Sequence, residues 1–238
     1  LPRDTIWSAI AGTLRAEIAG GHYPPGSRLP TEAALSARFG VNRHTVRHAL
    51  ATLAEEGLVH ARRGAGVFVT ARPTHYRLGR RVRFHDNVLA AGQTPSRQIT
   101  RSETRPCDAA EARVLWLKPG DPVLVVEGLS LADGQPLAAF RSVFPAARFP
   151  GLAQAIRAEA SITRALSACG LADYMRLETR IRAEAADPVL ALALQVKAGA
   201  PVLRSEAVNV DAEGRPVEQG TTWFAGDRVT LTVAADQP

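Results

Sequence analysis

A segment that begins at Pro122, PVLVVEGLSLADGQPLAAFRSVFPAARF, returns at Pro201 as PVLRSEAVNVDAEGRPVEQGTTWFAGDRV. Pro122 answers to Pro201 and Glu127 to Glu206. After one inserted residue, Gly134 answers to Gly214, Pro136 to Pro216, Phe144 to Phe224 and Arg148 to Arg228. Each copy reads strand, tight turn, strand, and each follows a short helix opened by an aspartate. The first is DAAEARVLWL, with Asp108 as cap and Glu111 placed to close a capping box; the second is DPVLALALQV from Asp187. Two copies about 80 residues apart are too few and too long for a solenoid. The echo therefore predicts two related α+β halves in one mostly antiparallel sheet flanked by helices. Between the copies, SITRALSACG predicts another helix, capped by Ser161.

The N-terminal part follows a different pattern. TIWSAIAGTLRAEIAG sets Ile6, Ile10, Leu14 and Ile18 on one helical stripe, stopped by Gly20 and Gly21. HYPPGSRLP reads as a fixed loop, and TEAALSARFG as a short second helix ending at Gly40. NRHTVRHALATLAEEG is a third, capped by Asn42, stopped at Gly57 and packed through Val46, Leu50 and Leu53. LVHARRGAGVFVT then reads as two short strands around a glycine-rich turn. These features predict a domain over residues 1–70, a polar linker over 71–80 and a second domain over 81–238.

Charge separates the two parts. Residues 1–80 hold eleven arginines, no lysine and five acids, while residues 81–238 hold eighteen bases and eighteen acids. The whole surplus of +6 thus lies in the first third, which suits a polyanionic partner there. The third helix presents Arg43, His44 and Arg47 away from its apolar stripe, near an N-terminus whose free amides favour phosphate. Arginine can fork onto guanine in the major groove; Thr45 could touch phosphate or tie down the first turn. A short helix, a tight turn and this helix make a helix-turn-helix. In the hairpin behind it, Arg62 and Arg63 beside Gly64 and Gly66 suit a wing in a minor groove. Arg28 and Thr31, at the start of the second helix, suit backbone contact. Asn42 is a cap first and a candidate contact second.

YPPGSRLPTEAALSARFGVNRHTVRHALATLAEEGLVHARRGAGVFV resembles the winged helix-turn-helix domain of the GntR family of bacterial transcription regulators, over residues 5–70. ADGQPLA, SITRAL, DAEGRPVEQG and FAGDRVTL resemble the effector domain of its HutC subfamily, called UTRA, with a chorismate lyase-like fold. YRLGRRVRFHDNVLAAGQTPSRQ, from Tyr76, is similar to phosphonate-metabolism regulators of the PhnF type. The resemblance implies a homodimer on double-stranded operator DNA carrying an inverted repeat, and repression relieved by a small anionic effector. It places the effector between the sheet and the helix that Ser161 opens. Ser161 with the amides of Ile162 and Thr163 could hold an anion, Arg141 could add charge-assisted bonds, Glu206 and Glu218 could take an amine or hydroxyl, and Tyr174 could line the site. Arg83 could reach the pocket or belong to a domain interface, and Arg141 could equally pair with an acid on the sheet. Sugar-phosphate sensors of the subfamily often carry an alternating arginine pair just before the ADG turn; this chain has Gly128 and Ser130 there.

Other classes are weaker fits. An enzyme of chorismate lyase-like fold would need a nucleophile–base set, and His85 is the only histidine after residue 80. An architectural DNA-binding protein would have no use for an effector pocket. No motif asks for a cofactor or metal, and Cys107 and Cys169 stand outside any CxxC pattern, which suits a reducing, cytoplasmic setting. The first residues lack a signal peptide's apolar run, and no stretch is long enough to span a bilayer, so a membrane partner is not expected.

Overall fold

The computed structural model describes residues 6–62, 64, 66–70, 73–159 and 161–233. It divides into two units, Leu1–Arg72 and Pro73–Pro238.

In the first unit, α1 spans Ile6–Ala19, α2 Glu32–Phe39 and α3 Arg43–Glu55. Strands β1 (Val59–Arg62) and β2 (Gly66–Val69) pair antiparallel. Ile10, Leu14, Leu35, Val46, Leu50 and Leu53 meet in one core with Val59 and Val69, while Ile6, the first residue of α1, stays exposed. Caps set the helix boundaries. The Thr31 hydroxyl accepts from Ala34 N, and Gly40 leaves α2 in the left-handed region at φ 64°. Asn42 Oδ1 accepts from Thr45 N at 2.8 Å. The loop expected before α2 does more than turn: Leu29 N donates to Val67 O at 2.8 Å and Val69 N to Ser27 O at 2.9 Å, so residues 27–29 run beside β2.

The second unit begins earlier than the sequence suggested. Thr74–Leu78, expected as linker, is strand β3, pairing parallel with the last strand. Its alternation explains this: Thr74 and Tyr76 turn inward and are buried, while His75 and Arg77 face water. Then follow α4 (Phe84–Ala90), β4 (Pro95–Pro106), α5 (Ala109–Leu115), β5 (Pro122–Ala132) and β6 (Gln135–Pro145). After a 3-10 turn at Ala146–Arg148 come α6 (Leu152–Glu159), α7 (Ile162–Ala168), β7 (Met175–Ala185), α8 (Pro188–Leu194), β8 (Pro201–Val210), β9 (Pro216–Ala225) and β10 (Val229–Val233).

The sheet order β4-β5-β6-β9-β8-β7 turns the sequence echo into a pseudo-twofold, with β6 and β9 antiparallel at its centre. The helix ends match as well. Trp116 after α5 and Gln195 after α8 both take the left-handed conformation, at φ 56° and 54°. Both faces of the sheet are covered. Helices α5 and α8 pack on one face, over Val123, Val125 and Val143 and over Val202 and Ala225. On the other, α6 and α7 cover Leu124, Val126, Phe140 and Phe144, and Tyr76 of β3 packs beside Ala138 and Phe224. Burial on both faces is why β5 reads as a nearly continuous apolar run.

Candidate DNA-reading surface and effector chamber

Arg43, His44 and Arg47 are exposed on α3. Arg47 is not idle there: its Nη2 donates to Glu32 Oε2 at 2.8 Å and its Nε to Glu32 Oε1 at 3.2 Å. The forked hydrogen bond from Arg47 holds the Glu32 carboxyl below its usual range. Thr45 Oγ1 donates to Asn42 Oδ1 at 2.9 Å, so it ties down the first turn. His48 stacks on Trp7 with ring centroids 4.3 Å apart, a packing task. Arg28 sits at the wing, since a Cβ on Gly66 (φ 110°) would come within 2.8 Å of its Nε. Gly64 is exposed in the hairpin turn. Arg63 and the side chain of Arg62 lie outside the described residues.

In the second unit, a chamber of about 80 Å³ opens under α7 on the sheet face that carries Phe140 and Ser142. Arg83, Arg97 and Arg176 line it against one carboxylate, Glu218, together with Tyr76, Tyr174, Ile162 and Thr163. Ser130, Ser142, Ser205, Thr222 and Asn209 add polar groups. Glu218 is held on both oxygens, by Ser142 Oγ at 2.5 Å and by Asn209 Nδ2 at 2.6 Å. Arg176 Nε donates to Asn209 Oδ1 at 2.8 Å, which completes an arginine–asparagine–glutamate chain. Thr163 Oγ1 and Tyr174 Oη lie 2.8 Å apart. Burial pushes the Tyr76 hydroxyl up to about 12 and raises that of Tyr174. Both phenols therefore stay neutral. A second cavity of about 190 Å³ is lined by Ser161, His85, Ser96 and Arg164, and shares Phe84, Arg97, Ile162 and Thr163 with the chamber.

Residues 7–69 match the model of the bacterial regulatory proteins of the gntR family, and residues 90–230 that of the UTRA domain. The chain belongs to the GntR family. It is 39% identical over 229 residues to the HTH-type transcriptional regulator RB1450 of Rhizobium meliloti (strain 1021), covering 96% of this chain and 94% of that one. It is 30% identical over 207 residues to the HTH-type transcriptional repressor PhnF of Mycolicibacterium smegmatis, covering 87% and 84%. The crystal structure of PhnF from Mycobacterium smegmatis superposes with a TM-score of 0.66 at 25% identity, covering 98% of this chain and all of that one. The chain is thus a transcriptional regulator built of a GntR helix-turn-helix and a UTRA domain. Among the described residues no helix is long and apolar enough to cross a membrane.

Within this GntR chain the sequence reading of the pocket is partly corrected. Arg83, Ile162, Thr163, Tyr174 and Glu218 line the chamber, and Ser161 lines the second cavity. Tyr174 sits just before β7. Arg141 does not reach the chamber. It lies between Phe140 and Ser142, so the two-residue period of β6 turns it to the opposite face, where its Nη2 donates to Glu111 Oε1 at 2.8 Å. Glu206, between Ser205 and Ala207, is turned the same way and pairs with Arg204. Arg97, Arg176 and Asn209 were missed. The period alone cannot say which face of a strand is the lined one; register across β4, β7 and β8 decides it.

Proposed function

We propose that this regulator is a repressor that binds an inverted-repeat operator as a homodimer and leaves it when a small anionic metabolite fills the chamber. A phosphonate or a phosphate-bearing metabolite is the favoured effector. On the DNA side the reading assigns major-groove contact to Arg43, His44 and Arg47. Arg28, Arg62, Arg63, Gly64 and Gly66 take the wing, while Thr31, Asn42 and Thr45 hold the helix starts at the backbone. On the effector side it assigns Arg83, Ser161, Ile162, Thr163, Tyr174 and Glu218. The observation that carries it is the charge of the chamber: three arginines against one carboxylate, behind polar walls. Such a lining favours an anion over a neutral or cationic ligand. The effector must bind the two states of the protein differently to change operator affinity.

The test is fluorescence anisotropy on the duplex from its own promoter region, with a salt series. The expected result is salt-sensitive binding to an inverted repeat, relieved by a phosphonate or phosphate ester. Binding that no such compound relieves would sink the sensor half of the reading.

A further inference from the structure

The three arginines of the chamber are not equivalent. Arg83 donates to Asp173 at 3.0 Å and to the carbonyl of Tyr174 at 2.8 Å, and its guanidinium lies 3.7 Å from the centre of the Tyr174 ring. Arg176 is taken up by Asn209 and Thr179. Both are occupied in holding the chamber together.

Arg97 differs. It extends from β4 in register with Ser130 of β5, and its guanidinium is set between the rings of Phe140, at 4.7 Å, and Phe84, at 5.4 Å. Among the described residues its Nη1 is shielded from water without a hydrogen-bond partner, and no carboxylate lies within ion-pair distance of it. Burial pushes its pKa down from the usual arginine value, opposed by Tyr76 and Glu218. A charged donor kept from water and left unpaired is costly to a folded protein. It is also pre-aimed: Arg97 stands in the walls of both cavities. Behind it the chamber offers hydroxyls of Ser130, Ser142, Ser205 and Thr222 rather than an apolar slot.

We propose that Arg97 is the specificity-determining residue that grips the oxyanion of the effector, and that the chamber behind it selects a tail bearing hydroxyl or amino groups. This rests on the chamber being the effector site. A guanidinium fork matches phosphonate or phosphate oxygens, and the ligand supplies the partner that Nη1 lacks. Glu218 and the hydroxyls then meet the polar tail, which an alkyl group would leave unsatisfied.

The test is calorimetry on the full chain with 2-aminoethylphosphonate, glycerol 3-phosphate and ethylphosphonate as probes, beside Arg97→Gln, Arg97→Lys and Arg141→Gln. Wild type should bind one of the two polar-tailed probes at least about tenfold more tightly than ethylphosphonate. Arg97→Gln should weaken that binding by about a hundredfold, Arg97→Lys should recover part of it, and Arg141→Gln should leave it unchanged. The ligand-free melting temperature gives a second readout. Removing a charge whose Nη1 is shielded and unpaired forfeits only its stacking on Phe84 and Phe140, so a small change is expected, whereas a structural role for Arg97 requires a large fall. A large fall, or equal binding by wild type and Arg97→Gln, overturns the role of Arg97 while leaving the sensor reading intact. Equal binding of ethylphosphonate overturns the polar-tail selection. Failure of wild type to bind any of the three overturns the anionic-effector reading and this inference together.

Discussion

Arg228 Nη1 donates to the carbonyl of Pro136 at 2.6 Å, and its counterpart in the other half, Arg148, donates to the carbonyl of Pro216 at 2.8 Å. Pro136 and Pro216 are themselves counterparts, so each half of the pseudo-twofold grips the other at the same point. The two grips are unequal in burial. Arg228 is almost wholly buried and also takes the carbonyls of Leu194 and Gln195 at the end of α8, at 2.8 and 3.0 Å. Arg148 keeps about a quarter of its side chain exposed and pairs with Asp211.

Arg228→Met should therefore be strongly destabilising. It takes the guanidinium donors away from the carbonyls of Pro136, Leu194 and Gln195 and removes a cation from the end of α8, at a cost of about 3–5 kcal/mol. Arg148→Met should cost about 1–2 kcal/mol, since Arg215 Nε, at 2.9 Å, still holds the buried Asp211 carboxylate that Arg148 abandons. Urea midpoints of the full chain measure both; a smaller loss for Arg228 than for Arg148 contradicts the burial argument.

On the sheet face turned away from the chamber, Glu111 accepts from Arg105 at 2.6 Å and from Arg141 at 2.8 Å. The Arg105 bond chiefly, with help from Arg141 and the Asp108 amide and against burial, holds its carboxyl down to about 2. Because the folded value is depressed, the stabilisation is complete above the ordinary value of 4.5 and is lost as pH falls through about 2. Its size is about 3 kcal/mol. The stability gap between wild type and Glu111→Gln in urea should be wide at neutral pH and shrink in acid. A gap that does not change with pH would mean that Glu111 contributes through packing alone.

Much of this architecture is legible in the amino-acid order, and the exceptions have physical causes. The echo between Pro122 and Pro201 contains the sheet, because matching turn glycines and helix-capping aspartates impose the same local geometry twice. Asn42 and Gly57 bracket α3 as their cap chemistry requires. Thr74–Leu78 was misread because Pro73 and Gly79 flank it, and its partner β10 lies at the far end of the second unit, where no local signal points to it. Arg141 keeps the acid pairing that the sequence also allowed, and neither it nor Glu206 reaches the chamber, for a single reason. Charge on a strand says nothing about face until neighbouring strands fix which parity looks into the chamber. Arg97 escaped notice because the role proposed for it rests on an unpartnered Nη1, which only packing reveals.

On the proposed reading of α3, the ion pair between Arg47 and Glu32 competes with DNA for the same guanidinium. Glu32→Gln should free it and raise affinity several-fold on specific and scrambled duplexes alike, since a repelling carboxylate is lost as well. Arg47→Ala should lower discrimination between operator and scrambled duplex by about tenfold or more if Arg47 reads a base edge. Anisotropy titrations across a salt series separate the cases. An equal loss on both duplexes, with a shallower salt slope, would reassign Arg47 to phosphate.

Gly128 sits on β5 where no side chain fits. A Cβ there would come 2.2 Å from the carbonyl oxygen of Gln98 and 3.1 Å from Ile99 Cα, beside the bulge of β4. The clash is with backbone, so β4 itself must move, and it carries Arg97. Gly128→Ala should cost at least about 2 kcal/mol and weaken probe binding in the chamber as well. Gly134→Ala supplies the contrast: that turn glycine has φ 74° and open space around its Cα. It should cost about 1 kcal/mol through backbone strain alone and leave binding intact. If both variants lost stability equally and neither changed probe binding, the close approach of β4 to β5 would have no bearing on how Arg97 is aimed.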